Sequence, residues 1–168
     1  MARKAANKTE LTRREITEKL HQAVMYYYVK KTYSVHREVG VERWGKARID
    51  MMALSLSSQV IGIEVKSCLA DFRADAKWRK YLSHSNKFYF MFAPSILQSR
   101  KYDEIKAELK AEGVGILTLT TTGRVRCALR AKTREVSEVK KFDIYKKLAW
   151  RGGDSKRNIK RTYKVFLE

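Results

Sequence analysis

Proline occurs once in the 168 residues, so long proline-rich linkers are excluded. Cysteine occurs twice, as Cys68 and Cys127, with no C-x-x-C pair and no His/Cys zinc spacing. The three histidines, His21, His36 and His84, form no metal pattern either. No disulfide framework is implied, and a reducing, cytoplasmic setting is expected: a bacterial or phage-infected cell, or its nucleoid. Residues 1–8 are basic but lack an apolar stretch, so a secretory signal is not expected. No apolar run approaches the roughly 20 residues of a membrane span, and no membrane partner is expected. Acids are scarce: 18 Asp and Glu face 37 Lys and Arg, giving a net charge of +19 and a pI near 10.1. A field of that sign attracts and steers polyanions, which makes nucleic acid the leading partner class.

What is present reads as one α/β domain over residues 9–150, with a basic tail at 1–8 and a basic extension at 151–168. Thr9 is the first candidate for the N-cap of a leading helix, with Thr12 the alternative. Ile16, Leu20, Ala23, Val24 and Tyr27 fall on one face of that helix, which runs to about Lys31. The adjoining tyrosines read as packing rather than base stacking. Three strands follow, at 34–41, 47–56 and 60–67, joined by short links, and Trp44 stands at the first turn. Short links make the three an antiparallel meander. A helix is expected over Asp71–Ser83, with Asp71 as its cap and Trp78 and Tyr81 as packing residues. An apolar strand (NKFYFMF, from Asn86) reads as buried on both faces. A helix over Ser95–Glu112 closes at Gly113. A hairpin of Gly115–Thr120 and Arg124–Leu129 follows, then a helix near Glu135–Trp150. A flexible joint is expected at Arg151–Asp154 and a terminal strand at Thr162–Leu167. A meander followed by β-α-β crossovers predicts a mixed sheet flanked by helices.

One stretch carries ionised groups where they are expensive. Val60, Ile61, Ile63 and Val65 are β-branched strand formers, yet Glu64 and Lys66 lie among them on one face of the strand. Asp50 lies in the preceding strand. Two carboxylates and an amine meeting on a sheet match the needs of phosphodiester hydrolysis. A hard divalent ion takes oxygen ligands, usually one or two carboxylates plus waters. Asp50 and Glu64 are the candidate ligands, the Val65 carbonyl can complete the shell, and Lys66 can face the attacking water or the phosphate. The competing reading is a buried ion pair with no chemistry.

The pattern Asp-x13-Glu-x-Lys on a meander resembles the PD-(D/E)XK nuclease superfamily, with Ile49-Asp50 standing where that family has Pro-Asp. Further residues are similar to its MmcB-like, DNA-repair and Holliday-junction-resolvase-like branch. These are Glu64-Val65-Lys66-Ser67, Asp71-Phe72-Arg73-Ala74-Asp75, Lys77-Trp78, Tyr81, the strand Phe88-Tyr89-Phe90, and Gly45 to Asp50. The resemblance covers roughly residues 35–93. It implies a restriction-endonuclease-like fold and a Mg²⁺-dependent deoxyribonuclease, with Mn²⁺ able to substitute. It implies roles for Asp50, Glu64 and Lys66 and for one further acid. Glu38, twelve residues before Asp50, is the leading candidate for that acid and Glu15 on the first helix is the other. Asp75 and Asp71 could stand behind the site or merely suit the helix dipole.

Lys46, Arg48, Arg73, Lys77, Arg151, Lys156, Arg157, Lys160 and Arg161 are candidate phosphate contacts. From Ile144 to Glu168 eight basic residues face two acids, a local charge of 8 − 2 = +6. No base-reading module is evident, so a branched or flapped recombination or repair intermediate is the expected substrate. A homodimer would suit cleavage of two strands. The rival expectation is a non-catalytic DNA- or RNA-binding protein, of a kind a phage could encode, that retains the fold.

Overall fold

The computed structural model describes residues 11–42 and 47–152. Helix α1 spans Arg13–Val29 and strands β1, β2 and β3 span Tyr33–Gly40, Arg48–Ser55 and Val60–Lys66. Short helices α2 (Leu69–Ala74) and α3 (Trp78–Tyr81) lead through a 3-10 turn to β4 (Lys87–Phe92). Helices α4 (Pro94–Leu97) and α5 (Tyr102–Ala111), the hairpin β5 (Gly115–Leu119) and β6 (Val125–Leu129), and helix α6 (Glu138–Gly152) complete the chain. The strands form one six-stranded sheet in sequence order. β1–β2–β3 and β5–β6 pair antiparallel, while β4 is parallel to both neighbours. This is the mixed α/β sheet that the order of elements predicts.

Period-two alternation sorts the strands between two apolar layers. Val60 of β3 and the ladder Phe88, Phe90 and Phe92 of β4 point to one layer, with Phe72, Trp78 and Tyr81. Phe72 meets Phe90 and Phe92 edge-on at 5.1 and 5.2 Å between centroids. Ile61, Ile63, Val65 and Met91 point to the other layer, where Leu20, Val24 and Tyr28 of α1 cover them. Gly62 is needed for the close fit: a Cβ there would stand 2.8 Å from the Phe88 ring. Trp78 and Tyr81 are core residues, as expected. The tyrosine run is graded, with Tyr28 buried, Tyr27 half-buried and Tyr26 60% exposed.

Several boundaries differ from the sequence expectations, each for a local reason. Thr12 rather than Thr9 caps α1: its hydroxyl accepts from the Glu15 N–H, and the Glu15 carboxylate accepts from the Thr12 N–H at 2.8 Å. That reciprocal pair is a capping box. The helix expected over Asp71–Ser83 breaks at Asp75, whose side chain accepts from the Lys77 N–H at 3.0 Å and so ends one helix and starts the next. Asp71 lies in the first turn of α2, and the cap position is taken by Cys68 with no side-chain bond. The helix expected over Ser95–Glu112 divides at a turn where the Ser99 hydroxyl accepts from the Lys101 N–H. Arg151 and Gly152, expected in a flexible joint, continue α6. The expectations for residues 1–8, Thr9, Trp44, Lys46, Lys156, Arg157, Lys160, Arg161 and the strand Thr162–Leu167 lie outside the described residues. Both cysteines are free thiols.

Candidate functional site

The β1–β2 register pairs Arg37 with Met51 and Val39 with Ile49, which brings Glu38 opposite Asp50. The β2–β3 register pairs Met51 with Ile63, which brings Asp50 opposite Glu64. The three acids singled out in the sequence therefore occupy one row across three neighbouring strands. At this row the sheet departs from regularity. Glu38 has φ +55°, a left-handed backbone uncommon for a residue with a side chain. The β2–β3 ladder stops, and side chains take over its hydrogen bonds. The Asp50 N–H donates to Glu64 Oε1 at 3.1 Å, and the Val65 N–H donates to Asp50 Oδ2 at 2.9 Å.

The exchange leaves the carboxylates of half-buried Asp50 and buried Glu64 on neighbouring strands, each bonded to a backbone N–H of the other strand. Burial raises the Asp50 pKa, against the opposing effects of the Val65 N–H and Lys66. Burial, reinforced by the Asp50 charge, pushes Glu64 from 4.5 up to about 8. The pair is short of positive charge. Lys66 supplies some: its Nζ lies 2.6 Å from Asp75 Oδ2 and 3.4 Å from Glu64 Oε2. Burial opposes a charge on Lys66, but the bond to Asp75 and the Glu64 carboxylate outweigh it, and its pKa is raised. Lys66 is therefore a protonated ammonium held at the edge of the acid pair. Asp75 does this through the same break that divides α2 from α3.

The donor set fits a hard divalent cation. It consists of oxygen atoms from two carboxylates, in a location that lacks charge compensation. The Val65 N–H is turned toward Asp50 on β2, and the C=O of an extended residue faces the same neighbouring strand as its N–H, the side on which a carbonyl ligand would be needed. No group of three or more His, Cys, Asp or Glu side chains suited to one metal occurs among the described residues. Two carboxylates completed by water is the usual provision for Mg²⁺.

The remaining candidates have other surroundings. The Glu38 carboxylate is ion-paired with Arg48, and both are partly exposed. Its charge is nonetheless felt at Asp50. Glu15 is committed to capping at the exposed start of α1. Arg73 bridges to Glu104 and Glu108 on α5, which ties α2 to α5. Lys77 is exposed at the start of α3. Arg151 donates to the Glu38 carbonyl at 2.9 Å.

Of the two readings the sequence offers for Asp75, behind the site or on the helix dipole, the structure shows the first: Asp75 is the partner of Lys66. One residue enters that the sequence did not assign. His21 is buried on α1, with Nδ1 2.7 Å from the Arg37 guanidinium and with no partner for Nε2. Burial and the Arg37 charge lower its pKa, while Asp50, Glu18 and Glu38 act in the opposite direction. Arg37 in turn holds Glu18 through two bonds of 2.7 and 3.0 Å.

A six-stranded mixed sheet opened at an acid row and flanked by helices defines the class as an α/β domain with a buried acid–lysine site. Its fold is shared with the SPO1766 protein of unknown function from Silicibacter pomeroyi, at a TM-score of 0.70 and 20% identity, over 95% of this chain and 97% of that one. SfsA from Pyrococcus furiosus, solved in complex with Ca²⁺, is a distant neighbour at a TM-score of 0.34 and 13% identity, over 73% of this chain and 63% of that one. That likeness carries no structural conclusion. No curated protein sequence matches the chain. A family described as DNA repair protein MmcB-like matches residues 4–124, and the chain belongs to that family. Membership connects the protein to DNA repair and makes DNA its expected partner. No helix among the described residues is long and apolar enough to cross a membrane.

Proposed function

We propose that this protein is a divalent-metal-dependent endonuclease that hydrolyses DNA phosphodiester bonds, with branched or flapped repair intermediates as substrates. The observation that carries this reading is the exchange at Asp50 and Glu64. A half-buried and a buried carboxylate, Asp50 and Glu64, take over the hydrogen bonds of a backbone ladder, and one protonated lysine stands beside Glu64. A purely structural ion pair would match charges one to one, whereas Lys66 is shared between Glu64 and Asp75 and no ion pair reaches Asp50 among the described residues.

In this reading Asp50, Glu64 and the Val65 carbonyl hold Mg²⁺, with Mn²⁺ able to replace it. Bound there, the ion would supply Lewis acidity toward a phosphate oxygen and lower the pKa of a coordinated water. Lys66 presents its ammonium to the attacking water or to the charge that develops on the phosphoryl oxygens. Asp75 fixes where that ammonium stands. Glu38 adds negative charge beside Asp50 and belongs to the outer part of the site rather than to the acid pair. The basic surface binds the phosphate backbone without reading sequence, consistent with a net charge of +19.

The test is cleavage of supercoiled plasmid and of branched DNA in Mg²⁺, Mn²⁺ or EDTA, with Lys66→Ala prepared in parallel. Metal-dependent cutting that the variant loses supports the proposal. DNA binding without any metal-dependent cut by the parent would instead make this a DNA-binding protein that keeps the fold.

A further inference from the structure

A groove of about 670 Å³ runs from the acid row to helix α6. One wall carries Glu38, Glu42 and Arg48, of which Glu38 and Arg48 flank Asp50 in the sheet. The other is Lys146, Lys147, Trp150 and Arg151 of α6. Ile144 and Leu148 turn the opposite face of α6 into the core, which leaves the Trp150 indole 77% exposed on the groove side. A large aromatic on a helix that has already buried its apolar stripe needs another reason to be there. Around it four cations, Arg48, Lys146, Lys147 and Arg151, face two acids, Glu38 and Glu42, an excess that favours an anion. Glu38 is ion-paired with Arg48, and Arg151 is anchored to the Glu38 carbonyl, so Arg151 braces the two walls. Asp143 pairs with both Lys146 and Lys147 and so offsets only one of these two positive charges.

We propose that this groove binds single-stranded DNA, with a base stacked on Trp150 and its phosphates against Lys146, Lys147 and Arg151, and that it leads the strand to the Asp50 row. An exposed indole beside cations is the provision that sequence-independent single-strand binders use, because every base has a π-face. A duplex keeps its bases stacked on one another and cannot use that face. The volume is also on the scale of small-ligand sites, about 300–1,000 Å³, rather than of a surface that accepts a duplex. The inference rests on DNA being the partner and deepens the nuclease reading: the site receives an unpaired strand, such as a flap.

The experiment is equilibrium binding of a short oligothymidylate and of a duplex of equal length, in EDTA, with tryptophan fluorescence as a second readout. Trp150→Ala should weaken oligothymidylate binding about tenfold, in line with the loss of one base–aromatic stack, and should abolish the quenching that the oligonucleotide causes. Trp150→Phe should restore most of the affinity, and duplex affinity should change less than about twofold. An equal loss on both DNAs, or on neither, overturns the proposal. A protein that binds the single strand through Trp150 but never cuts leaves the groove standing and removes the nuclease. Cleavage that is indifferent to Trp150, with single-strand binding unchanged in Trp150→Ala, removes the groove alone.

Discussion

Replacing Glu64 with Gln asks whether the acid pair stores an electrostatic cost that a cation relieves. The Glu64 side chain is 5% exposed. Burial and the adjacent Asp50 move its pKa from 4.5 to about 8. A carboxyl whose folded pKa lies above its unfolded value keeps a proton in the folded state that the unfolded chain has released. Its contribution to stability is therefore complete below about pH 4.5 and declines as the pH rises through about 8. At about 1.4 kcal/mol per unit, that span sets a ceiling of about 5 kcal/mol on the alkaline side. Gln retains the shape and can still accept from the Asp50 N–H. It also turns an amide toward Lys66, 3.4 Å from the present Oε2, while Lys66 keeps Asp75 at 2.6 Å. That new repulsion reduces the gain, and a net stabilisation of about 1–3 kcal/mol is expected near pH 9. It corresponds to a rise in Tm of several degrees, at about 2–4 °C per kcal/mol for a chain of this size. Thermal unfolding in EDTA from about pH 5 to about pH 9 should show Glu64→Gln above the parent at high pH and converging with it at low pH. Mg²⁺ should stabilise the parent and not the variant. Parallel pH curves for the two proteins, or a variant less stable than the parent near pH 9, would refute the reasoning.

Three further outcomes are expected. Binding of Mg²⁺ to the parent near neutral pH should release protons, because the raised Glu64 must ionise, so calorimetric enthalpies should depend on the buffer's ionisation enthalpy and affinity should fall as the pH is lowered. Buffer-independent enthalpies would contradict this. Asp75→Asn should destabilise the fold by about 2–4 kcal/mol, since it leaves the buried Lys66 with only its longer contact to Glu64. It should also lower cleavage more than substrate binding, and equal losses in both would show that Asp75 does not position Lys66. Glu15→Gln should leave cleavage unchanged, because Gln can serve in the capping box that Glu15 forms with Thr12; a large loss of activity would return Glu15 to the site.

The strands were legible because β3 and β4 are short runs of β-branched and aromatic residues, and because Asp50, Glu64 and Lys66 stand out as charges within apolar stretches. The register then followed from short connections, and the acid row followed from the register. What escaped was decided by contacts distant in sequence. Nothing between Asp71 and Ser83 is a Gly or Pro, so the stretch reads as one helix. The break comes from Asp75, which bonds forward to Lys77 and back to Lys66 on β3. The helix division at Ser99 likewise lacks a breaker in the sequence. Thr12, the alternative to Thr9, carries the stronger signal, since Thr12-Arg13-Arg14-Glu15 is a capping-box pattern. His21 carries no local signal, because a lone histidine beside Leu20 acquires meaning only when α1 packs over the sheet. Trp150 was accessible to helical spacing: Ile144 and Leu148 define the buried face of α6, and Trp150 falls off it.

The central claim is that Asp50 and Glu64 together hold a divalent cation. Anomalous diffraction from crystals grown with Mn²⁺ tests it most directly. The account predicts one strong peak at coordination distance from a carboxylate oxygen of each residue, at about 2.0–2.3 Å, with Lys66 still held by Asp75. A map with no peak between the two carboxylates at saturating Mn²⁺, or with the ion bound at Glu38 and Glu42 in the groove instead, would contradict it.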